Sequence, residues 1–176
     1  MNILPSCSIK SLTECEPSQL VRLVEYGEDA GALALVADVE GGEDARALIQ
    51  LNEDIPAYSI INDPDRYQVL AFEAPPTLVV DPFSGFDASP SRLFEAQGCV
   101  MRHHDCWVMR VNEYYGSGFR PRQGSFDLES GRLINPVTET RRIAYFGKWH
   151  ITVPNPDGNE KAITVASFEW KAPQNS

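Results

Sequence analysis

Residue types that bind metals or act as nucleophiles concentrate in one stretch of the chain, Gly98 to Tyr115. Its sequence, GCVMRHHDCWVMRVNEYY, holds two of the three histidines and two of the four cysteines. A zinc or iron site needs roughly three or four such groups, converging at about 2.0–2.3 Å from the metal. One hypothesis is therefore a metal- or thiol-dependent enzyme that uses the region of His103, His104 and Cys106. The full set of candidate ligands is His103, His104, Asp105 and Cys106, with His150 from a later strand.

The spacing of these residues also fits a turn. In an extended chain His103 and Asp105 share one face, so they cannot act together with His104, which lies on the other face. No CxxC, HExxH or HxH motif occurs. The segment CVMRHHDCWVMR is nearly symmetric about His104, which predicts a hairpin with the HHD triplet at its tip or at a strand end. The side chains then expected in the core are Met101, Trp107, Met109 and Val111.

The cysteines are expected to be free thiols that pack as small buried hydrophobes. In an extended strand about 23 Å would separate the α-carbons of Cys99 and Cys106, far more than a disulfide spans. Nucleophilic catalysis would need a cysteine beside a histidine, such as Cys106 with His150, and no motif brings these two together. GxSxG, GxGxxG and P-loop motifs are absent. The sequence leaves catalysis open, favours a protein that is not an enzyme, and predicts no cofactor unless a transition metal is bound.

Charge is distributed unevenly along the chain. Residues 1–90 carry 4 basic against 16 acidic side chains, a net charge of −12, whereas residues 91–176 carry 11 against 9, a net charge of +2. One interpretation is that the basic half docks on the acidic half within the molecule. The other is an anion-binding surface in the second half. Because the whole chain has a net charge of −10 and a pI near 4.7, nucleic acid is not expected as a partner.

A glycine-rich loop in the second half, GSGFRPRQG, is a candidate site for an anion or a partner. Backbone amides of such loops, together with arginine side chains, bind phosphate or carboxylate groups. The alternative is a flexible loop whose arginines meet the acidic half. The residues assigned to anion or partner binding are Arg120, Arg122, Arg141, Arg142, Tyr114 and Tyr115.

Turn residues and alternating apolar residues predict many short strands. Gly41-Gly42 separates two alternating runs within 32–51, and the turn of a second hairpin falls in SFDLESGRLI. The runs YQVLAFEA and TLVV, joined by Pro75-Pro76, are predicted to be adjacent strands. YFGKWHITV and AITVASFEW are predicted to pair at the end of the chain, with a bulge near Ser167.

One or two short helices are predicted among the strands. Asp87 to Gly98 contains the N-terminal pair Ser89-Pro90 and ends at a glycine. Residues 8–27 combine capping-box spacing with an apolar stripe, which favours a helix narrowly over a strand at LVRLV. Residues 43–51 fit a strand or a helix, and the alternation favours a strand.

These elements predict a mainly β fold, namely an antiparallel barrel or sandwich, or two small barrels packed together, with one or two short helices. The N-terminal part, with its LVRL run and twisted hairpin, resembles small SH3-like barrels over about a third of the chain, in pattern and without a shared motif. A barrel-like subdomain is expected at 1–66 and a β-rich subdomain at 67–176, with one continuous domain as the alternative. No internal repeat is visible in the sequence.

Three functional classes fit this sequence. The leading hypothesis is a non-catalytic β-rich binding or assembly protein that contacts a protein partner or another copy of itself. The alternatives are the metal- or thiol-dependent enzyme, and anion or nucleic-acid binding by the second half, which is rich in arginine and aromatic residues. No apolar run is long enough to span a bilayer and no secretory signal is recognised, so a cytoplasmic protein without membrane contact is expected.

Overall fold

The structure is a computed structural model that describes residues 6–24, 31–42, 45–51, 54–88, 96–114, 122–137, 143–155 and 161–171. Strands dominate these residues, which confirms the mainly β prediction. Short 3-10 turns lie at Leu12–Glu14 and Pro82–Ser84. Within the described residues, no helix is long and apolar enough to cross a membrane. The strands are β1 (Cys7–Ser11), β2 (Leu20–Leu23), β3 (Leu33–Val39), β4 (Arg46–Gln50), β5 (Ala57–Ile61), β6 (Gln68–Phe72), β7 (Thr77–Val80), β8 (Gly85–Ala88), β9 (Val100–His103), β10 (Cys106–Glu113), β11 (Gln123–Asp127), β12 (Arg132–Ile134), β13 (Ile143–Phe146), β14 (Lys148–Val153) and β15 (Ile163–Glu169).

Six strands of the larger sheet close into a ring. Two antiparallel meanders, β3–β4–β5 and β10–β11–β12, supply the strands. Short parallel ladders join the meanders, because β5 pairs with β10 and β12 pairs with β3. A β-carbon added at Gly124 would lie 2.9–3.4 Å from the side chains of Leu133, Tyr58 and Val111, so strands of both meanders meet inside the ring. The ring is a small barrel whose interior is filled by side chains.

The strand pairing of the first half recurs in the second half. Neighbours follow the order β1–β6–β2–β3–β4–β5 in the first half and β8–β13–β9–β10–β11–β12 in the second. We call β1–β6 the first unit and β8–β13 the second. The closing ladders match too, because β5 pairs with β10 and β12 pairs with β3, and each of these partners is the third strand of its unit in chain order. The strands that follow each unit, β7 and β14, pair with one another. The fold therefore contains a repeat of pairing that the sequence does not show.

The β3–β4 hairpin is buried on both faces. One face, which includes Leu35 and Ile49, packs in the main core. The other face, which includes Val36 and Leu48, packs in a smaller cluster with residues of β2 and β6. Burial on both sides explains why these strands have nearly continuous apolar sequences. The first unit thus has a core of its own beside the core of the ring, which agrees with a barrel-like class of fold.

Three predicted hairpins are confirmed. The β3–β4 turn contains Gly41, which has φ +79°, and the β11–β12 turn ends at Gly131, which has φ +69°. The HHD triplet lies at the β9–β10 turn, as its symmetry predicts. Of the predicted core residues, Trp107 is half-buried and packs against the core, and the others are fully buried: Met101, Met109 and Val111.

The helix predicted within residues 8–27 is wrong, and the competing strand at LVRLV is correct. Ser18 has φ +64°, a left-handed conformation that a continuing helix excludes. The LVRL residues form β2, which pairs with β3 on one side and with β6 on the other. Hydrogen bonding to two neighbouring strands outweighs the helical spacing of the apolar residues.

Two predictions about neighbouring strands are corrected. The runs that form β6 and β7 are not adjacent, since β6 lies between β1 and β2 while β7 belongs to the smaller sheet with β14 and β15. YFGKWHITV is not one strand either, because it divides at Gly147 into β13 of the larger sheet and β14 of the smaller. The β14–β15 ladder has the expected irregularity, with Ile151 opposite Ala166 and Thr152 opposite Thr164. The helix predicted at 87–98 falls largely on residues 89–95, which lie outside the described residues.

The expected boundary between 1–66 and 67–176 falls between strands that pair. β6 follows this boundary, yet it pairs with β1 and β2, which precede it. The repeat of pairing suggests instead a division after β7. The division into subdomains stays a prediction.

Replacing Gly98 with alanine tests how closely the smaller sheet packs on the larger sheet. Gly98 has φ +77°, and an added β-carbon would lie 2.5 Å from the Phe168 ring and 2.8 Å from Pro56. Phe168 stacks on Trp149 with 5.5 Å between ring centroids, so its ring has little freedom to move. We expect Gly98→Ala to lower the free energy of unfolding by about 2–4 kcal/mol in urea titrations. Gly41→Ala is the control, since it has the same backbone strain with no atom within 4 Å; an equal loss at both glycines would contradict the packing argument.

Candidate functional site

The histidine-rich stretch forms a tight hairpin. His103 at the end of β9 pairs with Cys106 at the start of β10, so His104 and Asp105 make a two-residue turn. His104 has φ +51°, the left-handed conformation that such turns require. Arg102 donates from Nη2 to the Asp105 carbonyl at 3.3 Å. The reactive residue types of this stretch therefore lie at a hairpin turn.

The predicted metal ligands do not converge. The rings of His103 and His104 meet edge to face with 4.3 Å between centroids, and the Cys106 thiol donates to the His103 carbonyl at 3.2 Å. His150 lies in the smaller sheet, between Val79 and Ser167 in register. Among the described residues, which include all five candidates, no three His, Cys, Asp or Glu side chains form a group that could hold a metal ion.

The surroundings of the thiols disfavour their reactive form. Burial raises the pKa of Cys106, and the nearby carboxylates of Asp127 and Glu129 raise it further. Burial likewise raises the pKa of Cys99 to about 12, although the charge of Arg110 opposes this shift. A nucleophilic cysteine needs the opposite effect, a pKa lowered by neighbouring positive charge. No disulfide joins the four cysteines, all of which lie in the described residues.

Of the residues assigned to anion or partner binding, the structure describes two. Arg122 is exposed, and its Nε lies 3.9 Å from Oε2 of Glu113. Tyr114 is half-buried, and its backbone N–H donates to the Tyr58 carbonyl at 2.7 Å. The remaining candidates lie outside the described residues: Arg120, Arg141, Arg142 and Tyr115.

A buried arginine that the sequence prediction missed lies in the middle of β10. Arg110 is 2% exposed, and its Nη2 donates to Oε1 of Gln123 at 3.0 Å. Its Nε and Nη1 are buried without a hydrogen-bond partner. No ion pair of the described residues includes this arginine. The sequence signal was a single basic residue inside the apolar run CWVMRV, where burial usually excludes charge.

The side chains next to Arg110 in the sheet are neutral. Its backbone N–H donates to the Cys99 carbonyl at 3.1 Å, and Ser125 lies directly opposite in β11. Opposed residues of antiparallel strands share a face, so the side chains of Ser125 and Arg110 lie on the same face of the sheet. Ser125 is fully buried, and its Oγ accepts the backbone N–H of Val137 at 3.0 Å.

The repeat of pairing shows which residue Arg110 replaces. The register of the two closing ladders aligns β3 with β10 and places Arg110 at the position of Val36. In the first unit Val36 lies opposite Leu48, whereas in the second unit Arg110 lies opposite Ser125. An apolar cross-strand pair in one unit is thus an arginine–serine pair in the other.

Acidic side chains border an open groove of about 640 Å³ between the β3–β4 turn and the β5–β6 loop. Arg46 pairs with Asp38 there, and the Thr13 hydroxyl donates to Asp65. The charged side chains around the groove are Asp38, Glu40, Asp63, Asp65, Arg46 and Arg132. Carboxylates outnumber arginines in this set, so the groove carries a net negative charge.

Ion pairs of the described residues do not connect the two halves of the chain. Each joins side chains within residues 1–90 or within 91–176. Internal docking of a basic half on an acidic half therefore has no support from these pairs. The pairs are Asp38–Arg46, Asp63–Arg66, Glu113–Arg122 and Lys148–Glu169.

Replacing Arg110 with methionine should stabilise the protein. Methionine fills a similar volume without a buried charge, and such replacements commonly raise stability by about 1–4 kcal/mol. We expect a gain of this size in urea unfolding followed in a chloride buffer. The reverse exchange in the first unit, Val36→Arg, is the control and should lower stability strongly. A loss of more than about 1 kcal/mol in Arg110→Met would show that the arginine stabilises the fold instead.

Thiol labelling tests the reactivity of the cysteines. With a pKa of about 12, the Cys99 thiol is ionised to the extent of only about one part in ten thousand at pH 8. We expect iodoacetamide to modify Cys99 last in the native protein and readily after unfolding, as followed by peptide mass spectrometry. Labelling of Cys99 or Cys106 faster than glutathione would favour the thiol-enzyme hypothesis.

Comparison with known proteins finds no match among family models, curated proteins or solved structures. The observations that bear on function are then the contacts, burial and charge of the described residues.

Proposed function

We propose that the protein is a non-catalytic binding protein that docks a positively charged protein partner through β7 and the turn that follows it. The observation that carries this proposal is Phe83, whose side chain is 96% exposed. A phenylalanine in water is a common anchor of protein interfaces, because burying it in a partner's pocket removes a large apolar surface from solvent. We call Pro82–Ser84 with its flanking Asp81 and Gly85 the Phe83 turn.

Hydrogen bonds hold the Phe83 turn in one shape. Oδ1 of Asp81 accepts the Phe83 N–H at 2.9 Å, and the Asp81 carbonyl accepts the Ser84 hydroxyl at 2.7 Å. The Ser84 hydroxyl in turn accepts the Lys148 N–H at 3.1 Å, which ties the turn to β14. Phe83 is therefore presented by an ordered turn, so that little conformational entropy is lost when a partner binds it.

The strand next to this turn has an open edge. β7 pairs with β14 and with no other described strand. The Asp81 N–H bonds to the Lys148 carbonyl, and in an antiparallel ladder only every second residue bonds to the same neighbouring strand. Leu78 and Val80 are the residues in between, so their N–H and C=O groups point away from β14. Val79 adds an exposed apolar side chain on the same strand. An extended segment of a partner can pair with such an edge.

Charge favours a basic partner over a second copy of this chain. Two copies, each with a net charge of −10, repel one another, while a basic protein is attracted and steered. The first half, which contains β7, has a net charge of −12, and the described ion pairs leave most of this charge without a cation from the other half. The acidic groove is lined mainly by residues of the same half.

Replacing Phe83 with alanine tests this proposal. Wild type, Phe83→Ala and Ile9→Ala are immobilised, and the proteins that each retains from an extract of the source cells are quantified by mass spectrometry. Ile9 is the control because it is 71% exposed on another edge strand, β1. We expect a basic protein to bind wild type and Ile9→Ala stoichiometrically, and to bind Phe83→Ala about 30-fold more weakly, the loss typical of a hot-spot residue.

Salt and sedimentation complete the test. Binding to a basic partner should weaken between low and high NaCl, because opposite charges attract across the interface. Equal retention of the same proteins by wild type and Phe83→Ala would contradict docking at this turn. A dimer of the isolated protein that dissociates on Phe83→Ala would replace the basic partner with a second copy.

A further inference from the structure

We propose that the second half of the chain holds a buried site for the carboxylate or phosphate group of a small molecule, with Arg110 as the residue that binds it. This site lies in a different part of the fold from the Phe83 turn, and it does not depend on the proposed partner. Burial, unsatisfied hydrogen bonds and the residue at the equivalent position of the first unit support this site.

Arg110 has donors that no group of the described chain uses. The side chain is 2% exposed, so water does not hydrate it freely. Nη2 bonds to Gln123, while Nε and Nη1 have no partner. Buried guanidinium groups normally meet a carboxylate or phosphate through several of their N–H groups. An oxyanion would supply both the missing acceptors and the missing charge.

The first unit shows that the fold does not need a charge at this position. Val36 occupies the equivalent place and packs opposite Leu48 in an apolar cluster. Arginine in place of valine costs stability, because the charge loses its hydration. A binding site explains such a cost, since functional groups are often retained at the expense of stability.

The neighbours of Arg110 offer hydrogen bonds and no competing charge. Ser125, directly opposite, accepts the Val137 N–H and retains its own hydroxyl proton for a ligand oxygen. Cys99, which comes directly before β9 and accepts the Arg110 N–H through its carbonyl, has a thiol that remains protonated because of its pKa of about 12. A neutral hydroxyl and a neutral thiol beside one cation leave a local charge of +1, which suits a single oxyanion.

Burial restricts the ligand to a small molecule. A nucleic acid or protein surface cannot reach a side chain that is 2% exposed, whereas a small anion can enter when the covering chain shifts. Nε and Nη1 adjoin no water-sized space in this structure, so binding is coupled to a local opening. Association should therefore be slower than diffusion allows.

Thermal unfolding in defined salts tests the site. The probes are sodium phosphate and sodium acetate, each compared with sodium chloride at the same ionic strength. We expect one of the two to raise the Tm of wild type saturably, by about 5 °C or more at a concentration one hundred times its Kd. The responding salt distinguishes a phosphate ligand from a carboxylate ligand. Arg110→Met should lose the rise, while Phe83→Ala should keep it.

Arg122→Met is the matched control, because Arg122 is an exposed arginine of the same half. Loss of the anion response in Arg122→Met with retention in Arg110→Met would overturn the buried site in favour of a surface site. No response beyond that of chloride in wild type would overturn it as well. A second measurement needs no variant: the NMR signal of the Arg110 Nε–H in wild type should shift on titration with the responding anion, and an unchanged signal would contradict direct binding.

Discussion

The fold depends on two strands that each share one edge between two neighbours. Along one edge of β3, residues 33–35 pair with β2 and residues 38–39 pair with β12. Along one edge of β10, residues 106–109 pair with β9 and residues 112–113 pair with β5. These strands must be long enough for two ladders, and they are among the longest described. Without this division of the edges, the ring would not close and each unit would keep an open edge.

Sharing of edges also explains why the two faces of β3 and β10 differ from those of ordinary strands. A strand inside both the ring and its own unit has both faces buried, so apolar residues are expected at every position. β3 follows this rule with ALVA, whereas β10 breaks it at Arg110. Since both strands hold the same place in the pairing pattern, the pairing itself does not require a charge at this position. A residue that breaks the apolar pattern of a buried strand is expected at functional sites.

Local signals in the sequence were sufficient for the hairpins. Gly41-Gly42, Gly131 and the symmetry about His104 each lie within a few residues of the strands that they join. Pairing between distant segments has no such signal. The closing ladders contain only two residue pairs each, and nothing in the sequence shows that β6 and β7 belong to different sheets. The candidate site was missed for the same reason, because the importance of Arg110 depends on burial, while the histidines were conspicuous by type alone.

The smaller sheet gives the clearest reason to regard β7 as a docking edge. β7 and β14 follow equivalent units and pair with one another, so the two strands should have equivalent outer edges. On the outer edge of β14 the chain supplies β15, which forms the ladder there. On the outer edge of β7 the described chain supplies no strand, and the ordered Phe83 turn lies at its end. A partner segment on β7 would occupy the place that β15 occupies on β14, and the pairing pattern would then be complete on both sides.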